Sequence, residues 1–125
     1  MLQKAIPFIR IFDVAKAKEF YIDWLGFRID FEHQFEPDTP YYIGISRDNI
    51  ELHLTEHYGD CTPGSKTFIV CDEAEAYCEE LKQKKYKYYR PSVEKTFYGT
   101  LCMDVIDPFG NNLSFNQQLP ENKEG

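Results

Sequence analysis

The chain has 125 residues, of which 42% are hydrophobic and 16% aromatic, a composition typical of a globular protein with one core or two small fused modules. Its net charge of −7 argues against binding to a nucleic-acid backbone, which requires a basic surface, and is compatible with a cationic ligand. No apolar run approaches the length of a membrane span and no signal peptide opens the chain, so we expect a cytoplasmic protein without membrane contact.

The first half of the chain predicts one strand, one helix and three further strands, at residues 6–12, 14–25, 27–32, 41–46 and 50–56. Asp13 can cap the helix, Trp24 falls on its apolar side, and Gly26 is suited to end it. In the last of these strands Glu51 and His53 alternate with leucines, which predicts one polar and one apolar side.

After a connector at residues 57–65, the same order begins again with a strand at 66–71, Asp72 as a cap and a helix at about 73–85. The offset of about 59 residues between Asp13 and Asp72 predicts two copies of one βαβββ unit. Lysines gather at the end of the second helix, where cations suit the helix dipole: Lys82, Lys84, Lys85 and Lys87.

Residues 98–115 predict a closing pair of antiparallel strands joined by the turn Asp107-Pro108-Phe109-Gly110. Pro108 presets its φ angle and Gly110 permits a positive φ, as a tight turn requires. The four cysteines form no C-x-x-C pair, so we predict no structural zinc site. Cys102 and Ser114 have no base at a recognisable spacing, so we assign neither a nucleophilic role.

Two motifs carry a family resemblance. Asp13-x(6)-Phe20-Tyr21-x-x-x-Leu25-Gly26-Phe27, followed by Asp107-Pro108-x-Gly110-Asn111, resembles the glyoxalase/bleomycin-resistance/extradiol-dioxygenase superfamily, also called vicinal oxygen chelate proteins, over about residues 5–117. The resemblance implies an α+β fold of two tandem βαβββ modules, at about residues 5–57 and 66–118 of a single domain 1–125. It also implies a cup-shaped mixed sheet with the helices outside, and a homodimer.

Metal-dependent members of this superfamily carry four ligands on the first and fourth strands of each module. The corresponding positions here are Ile6, His53, Lys66 and Ser114, of which only His53 is a good ligand for a divalent metal. The chain is therefore more similar to the metal-free bleomycin-resistance branch. Ile6-Pro7 resembles the arm that those dimers exchange, and Tyr98-Gly99-Thr100 resembles the stretch that lines their drug groove.

We therefore predict a protein without cofactor or metal that sequesters a small molecule, first of all a bleomycin-like cationic glycopeptide. The predicted ligand-binding residues are Tyr98, Phe97, His53, Glu51, Tyr41, Tyr42, Phe31, Phe68 and Ser114, and we assign no catalytic residue. The alternatives are a metal-dependent lyase, dioxygenase or thiol transferase that uses His53, and a scaffold with a vestigial pocket. The sequence leaves open whether the first strand is exchanged between subunits.

Overall fold

The computed structural model describes residues 1–120, which form two four-stranded mixed sheets and two helices. The strands are β1 (Phe8–Arg10), β2 (Arg28–Gln34), β3 (Tyr41–Arg47), β4 (Ile50–Thr55), β5 (Lys66–Val70), β6 (Glu94–Lys95), β7 (Thr100–Ile106) and β8 (Asn112–Gln118). The helices are α1 (Val14–Lys18), which continues as a π-helical segment over Glu19–Trp24, and α2 (Ala74–Gln83).

Each sheet repeats one topology. The strand orders are β1-β4-β3-β2 and β5-β8-β7-β6, with β1–β4 and β5–β8 parallel and the other pairs antiparallel. The predictions of an α+β fold and of two βαβββ modules are therefore confirmed. The first compact unit contains Met1–Ser65 and Asp107–Asn111, and the second contains Lys66–Ile106 and the chain from Asn112 onward.

The first helix begins as the sequence predicts. Asp13 Oδ1 accepts a hydrogen bond of 3.0 Å from Lys16 N, which satisfies one of the amides left open at a helix start. The helix then widens to π geometry, in which Leu25 N donates to Phe20 O at 2.9 Å. Gly26 ends it with a φ of 83°, in the left-handed region that glycine adopts without strain.

One side of the first sheet and one side of its helix form the core of the first unit. The fully or almost fully buried side chains include Ile9, Ala17, Phe20, Tyr21, Trp24, Ile43, Ile45, Leu52 and Leu54. Trp24, at 1% exposure, confirms its predicted place in the core. Because strand side chains alternate, the neighbours of these strand residues point to the other side of the sheet.

The second helix begins differently from the prediction. The N-cap position is Glu73, whose side chain makes no capping bond, so the prediction that Asp72 caps the helix is wrong. Ala74 N instead donates to Gln117 Oε1 on β8, at 3.0 Å. A tertiary contact thus replaces the local cap, and the helix packs against β7 and β8.

The turn between β7 and β8 is built on the buried carboxylate of Asp107. Its Oδ1 accepts from Phe109 N and Asn111 N at 2.8 Å each, and its Oδ2 accepts from Asn111 Nδ2 at 2.9 Å and from Tyr21 Oη at 2.7 Å. Burial, together with the Asp107 carboxylate, raises the pKa of Tyr21 well above its usual value. The motif that carries the family resemblance is therefore a structural anchor of the first unit. Within residues 1–120, no helix is long and apolar enough to cross a membrane.

Candidate functional site

A row of paired residues crosses the first sheet on the side away from its core. Phe8 on β1 pairs with His53 on β4, His53 with Gly44 on β3, and Gly44 with Phe31 on β2. Paired residues point to the same side of a sheet, so these four positions form one line across it.

Gly44 allows the Phe31 ring to lie directly on the sheet. A Cβ atom at position 44 would stand 2.1 Å from Phe31 Cε1, closer than any real contact. The glycine is therefore a close-approach residue, and any side chain at this position would displace the aromatic ring.

Tyr42 completes a group of four rings that we call the aromatic face: Phe8, Phe31, Tyr42 and His53. Phe31 and Tyr42 are stacked at 6.1 Å between ring centroids, and Phe8 and His53 are stacked at 5.7 Å. The Tyr42 hydroxyl and His53 Nδ1 lie 2.7 Å apart and share a hydrogen bond. Burial, with the charge of Asp60, raises the pKa of Tyr42, so this hydroxyl stays neutral at physiological pH.

A cavity of about 500 Å³ opens beside the aromatic face and is lined by Phe31, His33, Phe35, Tyr42, His57 and Asp60. Phe35 is 70% exposed, and its ring lies nearly perpendicular to those of His33 and His57, with 4.3 Å and 5.8 Å between ring centroids. His57 Nε2 is buried and has no hydrogen-bond partner among the described residues. The cavity thus offers exposed aromatic surface and one carboxylate, and an unsatisfied polar atom lies buried in its wall.

The loop that carries His57 and Asp60 is held by Thr55, which is completely buried at the end of β4. Thr55 Oγ1 donates to Asp60 Oδ2 at 2.8 Å and accepts from His57 N at 3.0 Å. One hydroxyl therefore fixes two cavity residues relative to the sheet.

Of the predicted ligand-binding residues in the first module, the structure brings Phe31, Tyr42 and His53 together. Glu51 lies on the same side of β4 as His53 and forms an ion pair with Lys4. Tyr41 lies on the opposite side of β3 from Tyr42, so it does not join the aromatic face.

The second sheet carries a hydrogen-bonded network that we call the amide–hydroxyl face: Thr100, Cys102, Ser114 and Asn116. Asn116 Oδ1 accepts from Thr100 Oγ1, and Asn116 Nδ2 donates to Ser114 Oγ, both at 2.9 Å. Cys102 Sγ lies 3.4 Å from Ser114 Oγ. Burial raises the pKa of the Cys102 thiol, so the thiol stays protonated and poorly nucleophilic.

The remaining predicted residues belong to this second sheet. Phe68 pairs with Ser114 in the register and is 56% exposed, whereas Ser114 is buried. Tyr98 Oη donates to Asn116 Oδ1 at 3.4 Å, and its ring meets that of the fully exposed Phe97 edge to face at 5.1 Å. These side chains stand at the border of the amide–hydroxyl face.

The positions that the family resemblance assigns to metal ligands do not fit a divalent ion. The assignment of Ile6 and Lys66 to this set is wrong, because Ile6 precedes β1 and Lys66 pairs with Asn112. The register instead places Phe8 beside His53 and Phe68 beside Ser114, and neither phenylalanine has a donor atom. His53 Nδ1 is bonded to Tyr42, and Ser114 Oγ is bonded within its network. Among residues 1–120, no group of three or more His, Cys, Asp or Glu side chains could hold a metal ion. Three protein ligands are the usual minimum for a catalytic site.

Sequence reasoning did not assign a binding role to five residues near the site: Phe8, His33, Phe35, His57 and Asp60. Phe31 and His33 on β2, followed by Phe35 directly after the strand, alternate with a period of two that could have linked these three cavity positions. His57 and Asp60 lie in a loop without such periodicity, and only the contacts of Thr55 bring them to the cavity.

A family model described as "Glyoxalase superfamily protein" matches residues 1–122, so the chain belongs to the glyoxalase superfamily. A bleomycin-binding protein from bleomycin-producing Streptomyces verticillus, solved with copper(II)-bleomycin, is similar at 27% identity and a TM-score of 0.68, covering 97% of this chain and 98% of that one. A bleomycin resistance determinant encoded on the transposon Tn5 has 20% identity and a TM-score of 0.73, covering 94% and 98%.

A bleomycin-binding protein solved with bleomycin has 21% identity and a TM-score of 0.71, covering 94% of this chain and 99% of that chain. Because the identities lie between 20% and 27%, these similarities establish a shared fold only. No curated protein matches the chain.

Proposed function

We propose that this protein binds and sequesters a small cationic molecule with a planar aromatic part, of the bleomycin-like antibiotic type, without changing it chemically. The observation that carries the proposal is the cavity beside the aromatic face, where exposed rings and a few polar groups converge. This is the usual composition of a small-molecule site, in which apolar walls supply contact area and the polar groups fix orientation.

Each part of such a ligand has a counterpart in the cavity. Phe31 and Phe35 offer ring surface that is 43% and 70% exposed, against which a planar group can stack. The His57 ring lines the cavity, and its buried Nε2 has no hydrogen-bond partner among the described residues. Asp60 and the net charge of −7 attract a cation.

The chemistry of the two sheet faces favours capture over catalysis. His53 Nδ1 is hydrogen-bonded to the Tyr42 hydroxyl. Burial raises the pKa of the thiols in the described part of the chain. Two bleomycin-binding proteins have the same fold, which supports the choice of first ligand. The homodimer and the cytoplasmic location stay predictions.

Calorimetric titration with bleomycin tests this proposal. Wild-type protein is expected to bind one equivalent per site, and mass spectrometry should recover the drug unaltered. Phe35→Ala is expected to weaken binding at least about tenfold, because it removes an exposed stacking surface. Tyr58→Ala is the matched control, since Tyr58 is 89% exposed in the same connector as His57 and does not line the cavity.

Two binding results would contradict the proposal, as would chemical change of the drug. One is the absence of heat at high micromolar bleomycin with wild-type protein, which would remove this class of ligand. The other is equal binding by Phe35→Ala and Tyr58→Ala, which would place the ligand away from the cavity beside the aromatic face. Turnover of the drug would replace sequestration by catalysis.

A further inference from the structure

A second cavity, of about 540 Å³, lies where α2 ends, within the second compact unit. Four cationic residues contribute to its lining, Lys82, Lys85, Lys87 and Arg90, and no aspartate or glutamate of residues 1–120 does. Residues 82–90 contain five of the 14 lysines and arginines and no acidic residue, in a chain whose net charge is −7. This segment is therefore locally positive, and four of its five cationic residues line the cavity.

The helix dipole explains only part of this concentration. The effect of the dipole is limited to the last turn, and α2 ends at Gln83 with Lys82 as the basic residue of that turn. Lys85, Lys87 and Arg90 follow the helix and gain little from its dipole. These three residues require another explanation for their presence in one cavity.

The backbone bends at Lys85 so that residues before and after the bend line the same cavity. Lys85 has a φ of 52°, a left-handed conformation that is uncommon for a residue with a side chain. Its amide donates to Lys82 O at 3.1 Å, which closes a tight turn directly after the helix. Because of this turn, the cationic residues that follow the helix line the same cavity as Lys82 instead of extending along the helix axis.

Tyrosines form the rest of the wall. Tyr88 is 67% exposed, its ring meets that of Tyr86 at 5.6 Å, and Lys87 Nζ lies 4.8 Å from its ring centroid. Tyr89 Oη donates to Asp104 O on β7 at 2.8 Å, which fastens the segment to the sheet. The cavity therefore combines an exposed aromatic ring with a group of cationic side chains, on a segment that a hydrogen bond holds to β7.

We propose that this cavity binds a nucleotide, that is, an aromatic base that carries one or more phosphate groups. Lysine and arginine side chains are the preferred partners of phosphate oxygens, and an exposed tyrosine ring stacks on a base. The volume of about 540 Å³ lies in the range of small-molecule sites. A free nucleotide and one nucleotide of a single strand share this chemistry, and both can reach an open cavity.

Calorimetric titration of the full chain at low salt tests the proposal with four probes: ADP, inorganic phosphate, adenosine and the oligonucleotide dT10. ADP is expected to bind with a Kd of about 1 mM or tighter and to weaken as salt is raised. Inorganic phosphate lacks the base and adenosine lacks the phosphate groups, so each is expected to bind at least about tenfold more weakly than ADP. Tighter binding of dT10 than of ADP assigns the site to single-stranded nucleic acid, and the reverse assigns it to free nucleotides.

Variants locate the binding. The double variant Lys85→Asn, Arg90→Gln is expected to weaken ADP at least about tenfold, and asparagine keeps the left-handed conformation accessible at position 85. The double variant Lys16→Gln, Lys95→Gln removes the same charge elsewhere and is expected to retain ADP binding. Tyr88→Ala, at an exposed position, should weaken ADP more than it weakens phosphate.

Three outcomes overturn the proposal. They are no binding of either ADP or dT10 at millimolar concentration, equal weakening by the two double variants, and phosphate binding as tight as that of ADP. Thermal unfolding of every variant separates loss of a contact from loss of the fold. The bleomycin titration uses the other compact unit, so the two proposals can fail independently.

Discussion

The two sheets share a strand order, yet the sides opposite their apolar cores differ in chemistry. In the first sheet one row of the register contains Phe8, His53, Gly44 and Phe31. In the second sheet the corresponding row contains Phe68, Ser114 and Asp104, and β6 is too short to add a fourth residue. The first row forms an aromatic face beside a cavity, and the second row joins a network of small polar groups.

The difference between the edge strands explains much of this contrast. The seven residues of β2 bring Phe31 and His33 to the aromatic face and its cavity, whereas β6 contains two residues. A repeated fold therefore supplies a repeated backbone, and the length and side chains of each strand decide what its surface can bind. Three substitutions test this contrast.

The largest effect is expected from Asp107→Ala, which removes the acceptor of four hydrogen bonds in the first compact unit. Because buried donors lose a charged partner, the free energy of unfolding should fall by at least about 3 kcal/mol. Guanidinium unfolding measures the change.

Asp104→Ala is the control for this substitution. Asp104 is exposed on the second sheet, and its loss should change the free energy of unfolding by no more than about 0.5 kcal/mol. Equal effects of the two substitutions would show that the Asp107 turn is not an anchor.

A smaller effect is expected from Asn116→Ala on the amide–hydroxyl face. Its amide bonds both Thr100 and Ser114, so truncation leaves buried hydroxyls without partners and should cost about 2 kcal/mol. Asn112→Ala, on the same strand, removes a buried Oδ1 that has no partner among the described residues, and should be neutral or stabilising. A larger loss for Asn112→Ala than for Asn116→Ala would contradict the assigned network. Urea unfolding of both variants measures the two changes in the free energy of unfolding.

The smallest effect on stability, about 1 kcal/mol, is expected from Gly44→Ala, because the new Cβ displaces a Phe31 ring that is partly exposed and can move into solvent. The same change should abolish ligand binding at the aromatic face. In a Phe31→Ala background the added methyl group has no ring to displace, so Gly44→Ala should then have almost no effect on stability. Additive losses in this double-mutant cycle would show that Gly44 and Phe31 are not coupled.

Local sequence signals predicted those parts of the fold whose interactions are local. The N-cap at Asp13, the helix end at Gly26 and the turn at Asp107 each depend on residues within a few positions of one another, and all three were confirmed. The prediction of an N-cap at Asp72 was wrong because the side chain of Gln117, distant in sequence, accepts the hydrogen bond from Ala74 N. Phe31 and Tyr42 were predicted as ligand-binding residues because they are aromatic and border the cup that the resemblance implies, and His53 because its side of the strand is polar.

The sequence by itself determined the two βαβββ modules and their turn, since hydrophobic periodicity and turn residues act over short distances along the chain. The family followed from the resemblance of two motifs to a known superfamily. Only the tertiary structure decided that Phe31 lies on Gly44, that Thr55 holds His57 and Asp60 beside the aromatic rings, and that cations after α2 surround one cavity. The physical reason is that strand register and loop contacts join residues far apart in the chain, and no local propensity specifies such pairs.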